Sequence, residues 1–245
     1  MKKILFFAGA LVFTVAVNAQ EWKIYPMPEE FPANSAARAF PKDLNWMKRV
    51  KTTNEKALAR GDAVQLVFDG DSITDGWQGN GRNVWAKHYA QYGAVDFGIS
   101  GDRTEHVLWR LSQGQAKGLN PKLIALMIGT NNLGGNSAEQ IADGVRDIVT
   151  EYRKICPGAV ILLQAVFPRD HKPDTANRKK IKQLNELIGR LADDDKIVFF
   201  DFGDKFLEAD GVLSPEVMPD FLHPNEKGYQ IWADAIQPYI DKYLK

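Results

Sequence analysis

From residue 64 onward, short apolar runs alternate with longer stretches in which apolar residues recur at helical spacing. The runs at 64–68, 94–97, 123–128, 160–166 and 197–200 are rich in β-branched, leucine and aromatic side chains and predict five strands. Between and after them the spacing predicts helices over 83–91, 102–113, 137–155, 175–192 and 225–243. Ser137 with Gln140, and Asp102 with Glu105, have the spacing of a capping box at a helix start. Upstream, Leu44, Met47, Val50, Ala57 and Leu58 predict a further helix over 44–60, stopped at Gly61. Strands that alternate with helices imply a parallel sheet covered on both faces, hence a single α/β domain over 44–245. In such sheets ligands bind outside the carboxyl ends of the strands. Three of the strands run directly into Gly-containing polar turns: Gly70-Asp71-Ser72, Gly98-Ile99-Ser100-Gly101-Asp102 and Gly129-Thr130-Asn131-Asn132.

The first 43 residues follow another pattern. Lys2 and Lys3, an apolar stretch over 4–17 and the small-residue site Val17-Asn18-Ala19 have the form of an export signal over 1–19. The stretch is shorter than the ~20 residues of a membrane span, so the alternative of an uncleaved anchor ranks second. No Cys stands near the cleavage point to carry a lipid. A soluble chain starting near Gln20, secreted or periplasmic, is expected. Residues 20–43 hold Pro26, Pro28, Pro32 and Pro41 and predict an irregular arm on the domain surface. Without Lys2 and Lys3, the 31 acidic residues exceed the basic ones by two, which gives no electrostatic reason to bind nucleic acid or an anionic bilayer. Cys156 is the only cysteine and ends an apolar helical stretch, which excludes an internal disulfide and predicts a packed thiol.

Ser72 sits where a strand turns into a helix, exposed to the favourable field of a helix N-terminus. A serine there also serves as a plain N-cap, and Thr74 excludes the G-x-S-x-G elbow. A serine nucleophile needs a base. Of the four histidines, His88 and His106 fall in predicted helices and His171 in a charged loop, whereas His223 follows Asp220 by three residues in a turn. That spacing lets the carboxylate orient the imidazole; the plainer alternative is a cap near Asn225. Asn131 and Gly101 could donate hydrogen bonds to an oxyanion, or serve only as an Asx turn and a turn glycine.

Taken together, Gly70-Asp71-Ser72, Gly101, Gly129-x-Asn131 and Asp220-x-x-His223 resemble, in order and spacing, the blocks of SGNH (GDSL-type) hydrolases. The stretch from Phe97 through Gly101-Asp102-Arg103-Thr104-Glu105-His106 to Leu111, with Gly129-Thr130-Asn131-Asn132 and Asp220-Phe221-Leu222-His223, is similar to the catalytic subunits of intracellular platelet-activating-factor acetylhydrolase. The resemblance implies a three-layer α/β/α, flavodoxin-like fold with a five-stranded parallel sheet. It implies ester hydrolysis without metal or other cofactor: Ser72 as nucleophile, Asp220 and His223 completing the triad, and Ser72, Gly101 and Asn131 forming the oxyanion hole. It also leaves room for a homodimer. An export signal is foreign to that intracellular enzyme, as is the Gly-rich segment after Ser72, so the substrate need not be shared. An acetyl ester of an extracellular or periplasmic carbohydrate is the expectation, with Trp77 and Phe167 as candidates to stack on a sugar. A lipid esterase acting on short-chain phospholipid or lysophospholipid, a glycan-binding protein without activity, and a metal hydrolase are the rivals; the last lacks a clear third ligand beside Asp220 and His223.

Overall fold

The computed structural model describes residues 34–193 and 195–245. The export signal and the first part of the arm lie outside the described residues. In chain order the elements are α1 (Leu44–Leu58), β1 (Leu66–Gly70), α2 (Ser72–Asp75), α3 (Arg82–His88), β2 (Val95–Asp96), α4 (Thr104–Ser112), β3 (Leu123–Met127), α5 (Ala138–Ile155), β4 (Val160–Gln164), α6 (Ala176–Gly189), β5 (Ile197–Phe200) and α7 (Glu226–Leu244). All five strands pair in parallel in the order β2-β1-β3-β4-β5. This is the flavodoxin-like order, whose reversal point lies between β1 and β3.

Alternation along the strands feeds two cores. Val67, Ile124, Leu126, Ile161 and Leu163 face the layer of α4, α5 and α6, while Leu66, Phe68, Leu123, Ala125 and Leu162 face α3 and α7. β1, β3 and β4 are buried at every position, which is why they read as unbroken apolar runs. The second core is aromatic: Trp77, buried at 0% exposure, packs against Phe68, Trp85, Tyr89, Tyr229 and Trp232.

The Ser137 capping box forms, with Gln140 N–H donating to Ser137 Oγ and Ser137 N–H to Gln140 Oε1. The Asp102 box does not. α4 starts two residues later, the imidazole Nδ1 of His106 accepts from Arg103 N–H, and Asn132 Oδ1 accepts from Thr104 N–H. Asp102 is unavailable as a cap because its buried carboxylate binds cations. α1 departs from its predicted pattern too: Leu44 is exposed, and Trp46 with Val50 supplies the apolar face, against Ile99 and Trp109. Residues 34–43 lie on α4 and α5, with Thr104 Oγ1 donating to Ala36 O at 2.6 Å and Phe40 N–H to Glu105 O at 3.0 Å. Cys156 is buried and free, and burial pushes its thiol up to about 11. Among the described residues no helix is long and apolar enough to cross a membrane.

Candidate active site

β1 ends at Gly70, where the chain turns sharply. A Cβ on Gly70 would meet both Met127 O and Thr74 Oγ1 at 2.3 Å, so only glycine lets the turn pass this close to β3. Asp71 caps the short α2 by accepting from Ile73 N–H at 3.0 Å, which presents Ser72 at the rim. Its other oxygen, Oδ2, is buried without a hydrogen-bond partner. Burial pushes the Asp71 carboxyl up to about 7, against the pull of the Ile73 N–H.

From 151 residues away, the turn before α7 brings His223 to Ser72. Ser72 Oγ–H donates to His223 Nε2 at 2.9 Å, and His223 Nδ1–H donates to Asp220 Oδ2 at 2.6 Å. Asp220 also accepts from the N–H groups of Leu222 and His223, at 3.1 and 2.8 Å. Desolvation pushes its carboxyl up, but the hydrogen bonds from His223 and Leu222 outweigh it and hold the group below its ordinary value. Phe221, between the two, is in the left-handed region (φ 57°), and its ring packs on His171 at 4.7 Å.

On the far side, Gly101 (φ 73°) is the left-handed residue of the loop after β2. Asn131, just past β3, donates one amide hydrogen to Asp102 O at 2.9 Å, which leaves its second hydrogen for a ligand. The structure thus brings Ser72, His223 and Asp220 into one hydrogen-bonded chain, and Asn131 onto the Gly101-Asp102 loop. His88 bonds Gln237 instead, and His171 bonds Leu213 O. Burial, reinforced by Lys42, Arg103 and Arg110, drives the His106 imidazole down to about 3. The cleft beside Ser72 and His223 holds about 440 Å³ and is lined by Asp75, Gln78, Asn80 and Ser100. Trp77 and Phe167 do not line it. Trp77 fills the aromatic core, and Phe167 packs among Phe202, Phe206 and Trp232. Among the described residues no group of three His, Cys, Asp or Glu could hold a metal ion.

Sequence reasoning missed what holds the rim. Arg110 of α4 is fully buried and links β1 to the Gly101 loop, from Asp69 Oδ1 at 2.9 Å, before the Ser72 turn, to Asp102 Oδ2 at 3.0 Å, after Gly101. Asp69 is closed by Gln115 and by a short hydrogen bond from Tyr152. Burial opposes the charge on Arg110, but Asp69 and Asp102 more than offset it and raise the guanidinium above its ordinary value. The signal was present as a cation inside the run Val107-Leu108-Trp109-Arg110-Leu111.

A serine, histidine and carboxylate in hydrogen-bonded sequence at the carboxyl edge of a parallel sheet define the class of serine hydrolases. Residues 68–231 match the model of the GDSL-like lipase/acylhydrolase family, and the chain belongs to that family. It is 35% identical over 181 residues to platelet-activating factor acetylhydrolase IB subunit alpha1 of Rattus norvegicus, covering 74% of this chain and 76% of that one. To the alpha2 subunit of the same species it is 35% identical over 183 residues, with 74% and 77% covered. The fold is also that of a GDSL-like lipase from Bacteroides thetaiotaomicron (TM-score 0.66, 22% identity, 79% of this chain and 97% of that one). An acetylxylan esterase from Geobacillus stearothermophilus shares it as well (TM-score 0.59, 22% identity, 74% and 95%). The chain is an ester hydrolase.

Proposed function

We propose that this protein is an exported esterase that removes acetyl groups from O-acetylated carbohydrates through an acyl-enzyme on Ser72. The observation that carries the reading is the unbroken chain Ser72 Oγ–His223 Nε2–Asp220, with links of 2.9 and 2.6 Å. His223 takes the Ser72 proton on Nε2 as Oγ adds to the ester carbonyl, and Asp220 fixes the tautomer and stabilises the imidazolium. The carbonyl oxygen, now an oxyanion, lies against the N–H groups of Ser72 and Gly101 and the second amide hydrogen of Asn131. Collapse expels the alcohol, which takes its proton from His223. A water deprotonated by the same nitrogen then releases acetate and restores Ser72.

Acetyl as the acyl half is supported by the names of two similar proteins, one a platelet-activating factor acetylhydrolase subunit and the other an acetylxylan esterase. For the alcohol half, Asp75, Gln78, Asn80 and Ser100 beside Pro224 and Tyr229 in the cleft lining offer hydrogen-bonding groups to a hydroxyl-rich partner. The export signal read over 1–19 points to a glycan outside the cytoplasm. The relatives' name favours a second reading, an acetylated phospholipid. Acetate release from acetylated xylo-oligosaccharides and from an acetylated phospholipid, with the Ser72→Ala variant alongside, separates the two. Glycan turnover that vanishes in Ser72→Ala is expected; faster turnover of the phospholipid would overturn the carbohydrate reading.

A further inference from the structure

Lys42, in the segment ahead of α1, straddles Gly101. Its Nζ donates to Ser100 O at 2.9 Å and forms an ion pair with Asp102 Oδ1 at 2.8 Å. The ammonium is held close over the loop: a Cβ built on Gly101 would lie 3.3 Å from Nζ, and the side chain keeps only 21% of its exposure. α1 adds further contacts to the same loop. Trp46 Nε1–H donates to Asp102 Oδ1 at 2.8 Å, Trp46 and Val50 pack on Ile99, and Arg49 reaches Gly98 O at 3.4 Å. Arg49 also binds Asp75, whose carboxylate accepts from Ser100 N–H at 3.1 Å and Ser100 Oγ–H at 2.8 Å. The contacts from Lys42, Trp46, Arg49 and Val50 come from residues 42–50, before the segment that matches the family model; Asp75 and Ser100 lie within it.

We infer that Lys42 is a positioning residue of the oxyanion hole, and that residues 42–50 are a working wall of the active site. The inference rests on the proposed role of Ser72, Gly101 and Asn131. Three facts carry it. Gly101 is in the left-handed region, so the direction of its N–H depends on what pins its two neighbours. Lys42 pins both, through the carbonyl of Ser100 and the carboxylate of Asp102, which takes a rotatable cation with several donors. Asp102 in turn sets Asn131 through its own carbonyl, so the same ion pair steadies two of the three donors. Asp102 keeps Arg110 and Trp46 when Lys42 is removed, so the loss falls on loop geometry and not on the fold.

The test compares Lys42→Met, Lys42→Arg and Ser72→Ala on p-nitrophenyl acetate. Melting temperature and the rate of inactivation by an organophosphonate, whose phosphoryl oxygen uses the same hole, are measured on the first two. Lys42→Met is expected to lower kcat by ~10-fold, less than loss of a direct donor, with KM within about twofold. Inactivation should slow in parallel, melting should stay within a few degrees, and Lys42→Arg should restore most of the rate. An unchanged kcat in Lys42→Met overturns the inference. So does a fall in kcat that follows a lowered melting temperature and is not rescued by Arg, since that marks a merely structural contact. Hydrolysis that survives Ser72→Ala would instead remove the reading of the site on which the inference stands.

Discussion

The two sides of the cleft are built to different rules. On the Gly101 side Asp102 and Arg110 are wholly buried, and the loop is gripped from within by Arg110 and from outside by Lys42, Trp46 and Asp75. On the His223 side the imidazole is 38% exposed and the Asp220 carboxylate 56%, held mainly by their own turn. The difference matches the work proposed for each. Oxyanion donors act by being in place before charge develops, and a shift of one ångström is costly. A base that takes a proton, gives it to an alcohol and then activates water must stay within reach of solvent. Rigidity is therefore concentrated where charge forms, and access where protons move.

Substitutions on the two sides should behave accordingly. His223→Ala should lower kcat by ~10⁴-fold or more, while its exposed position leaves melting nearly unchanged; a small kcat loss would remove it as the base. Arg110→Met should do the reverse in kind, lowering unfolding free energy in urea by about 3–5 kcal/mol, because Asp69 and Asp102 remain buried without their shared cation. A loss below about 1 kcal/mol would show that Gln115, Tyr152 and Lys42 suffice. Asn131→Ala should cost ~10²–10³-fold in kcat with KM little changed; an unaltered kcat would take it out of the hole.

An effect read through pH is expected at Asp71, whose carboxyl moves from 3.8 to about 7 on folding. Between these values the native state binds the extra proton, so this group favours folding less and less as pH rises from about 4 to 7. Asn at this position keeps the cap on Ile73 and does not titrate. The stability of Asp71→Asn relative to the natural chain should therefore climb across that window, by at most ~4 kcal/mol. The change of the difference with pH is the readout, since an unpaired buried amide adds a constant cost. A difference that stays flat would mean that Asp71 is not so perturbed.

β1, β3 and β4 were legible because their burial is continuous, and the Ser137 cap because its two partners are three residues apart. Ser72, Asn131, Asp220 and His223 were legible from a shared pattern of blocks, not from any one residue. What the sequence hid was pairing across the fold. Asp102 followed by Glu105 has the spacing of a cap, yet Arg110 from about two turns onward and Lys42 from sixty residues back compete for the same carboxylate and win. Trp77 beside a predicted rim suggested a stacking surface, but its ring meets Phe68 of β1 and Trp232 of α7 in the core. No local pattern distinguishes those two fates.

The most direct test is chemical labelling of the native chain by an organophosphonate, followed by peptide mass mapping. A single adduct on Ser72 is expected, formed at a rate that falls when His223 is replaced by Ala, with hydrolysis lost in step with labelling. An adduct on another residue, or full hydrolytic activity in a chain whose Ser72 is blocked, would contradict the assignment of Ser72 and His223 as the reacting pair.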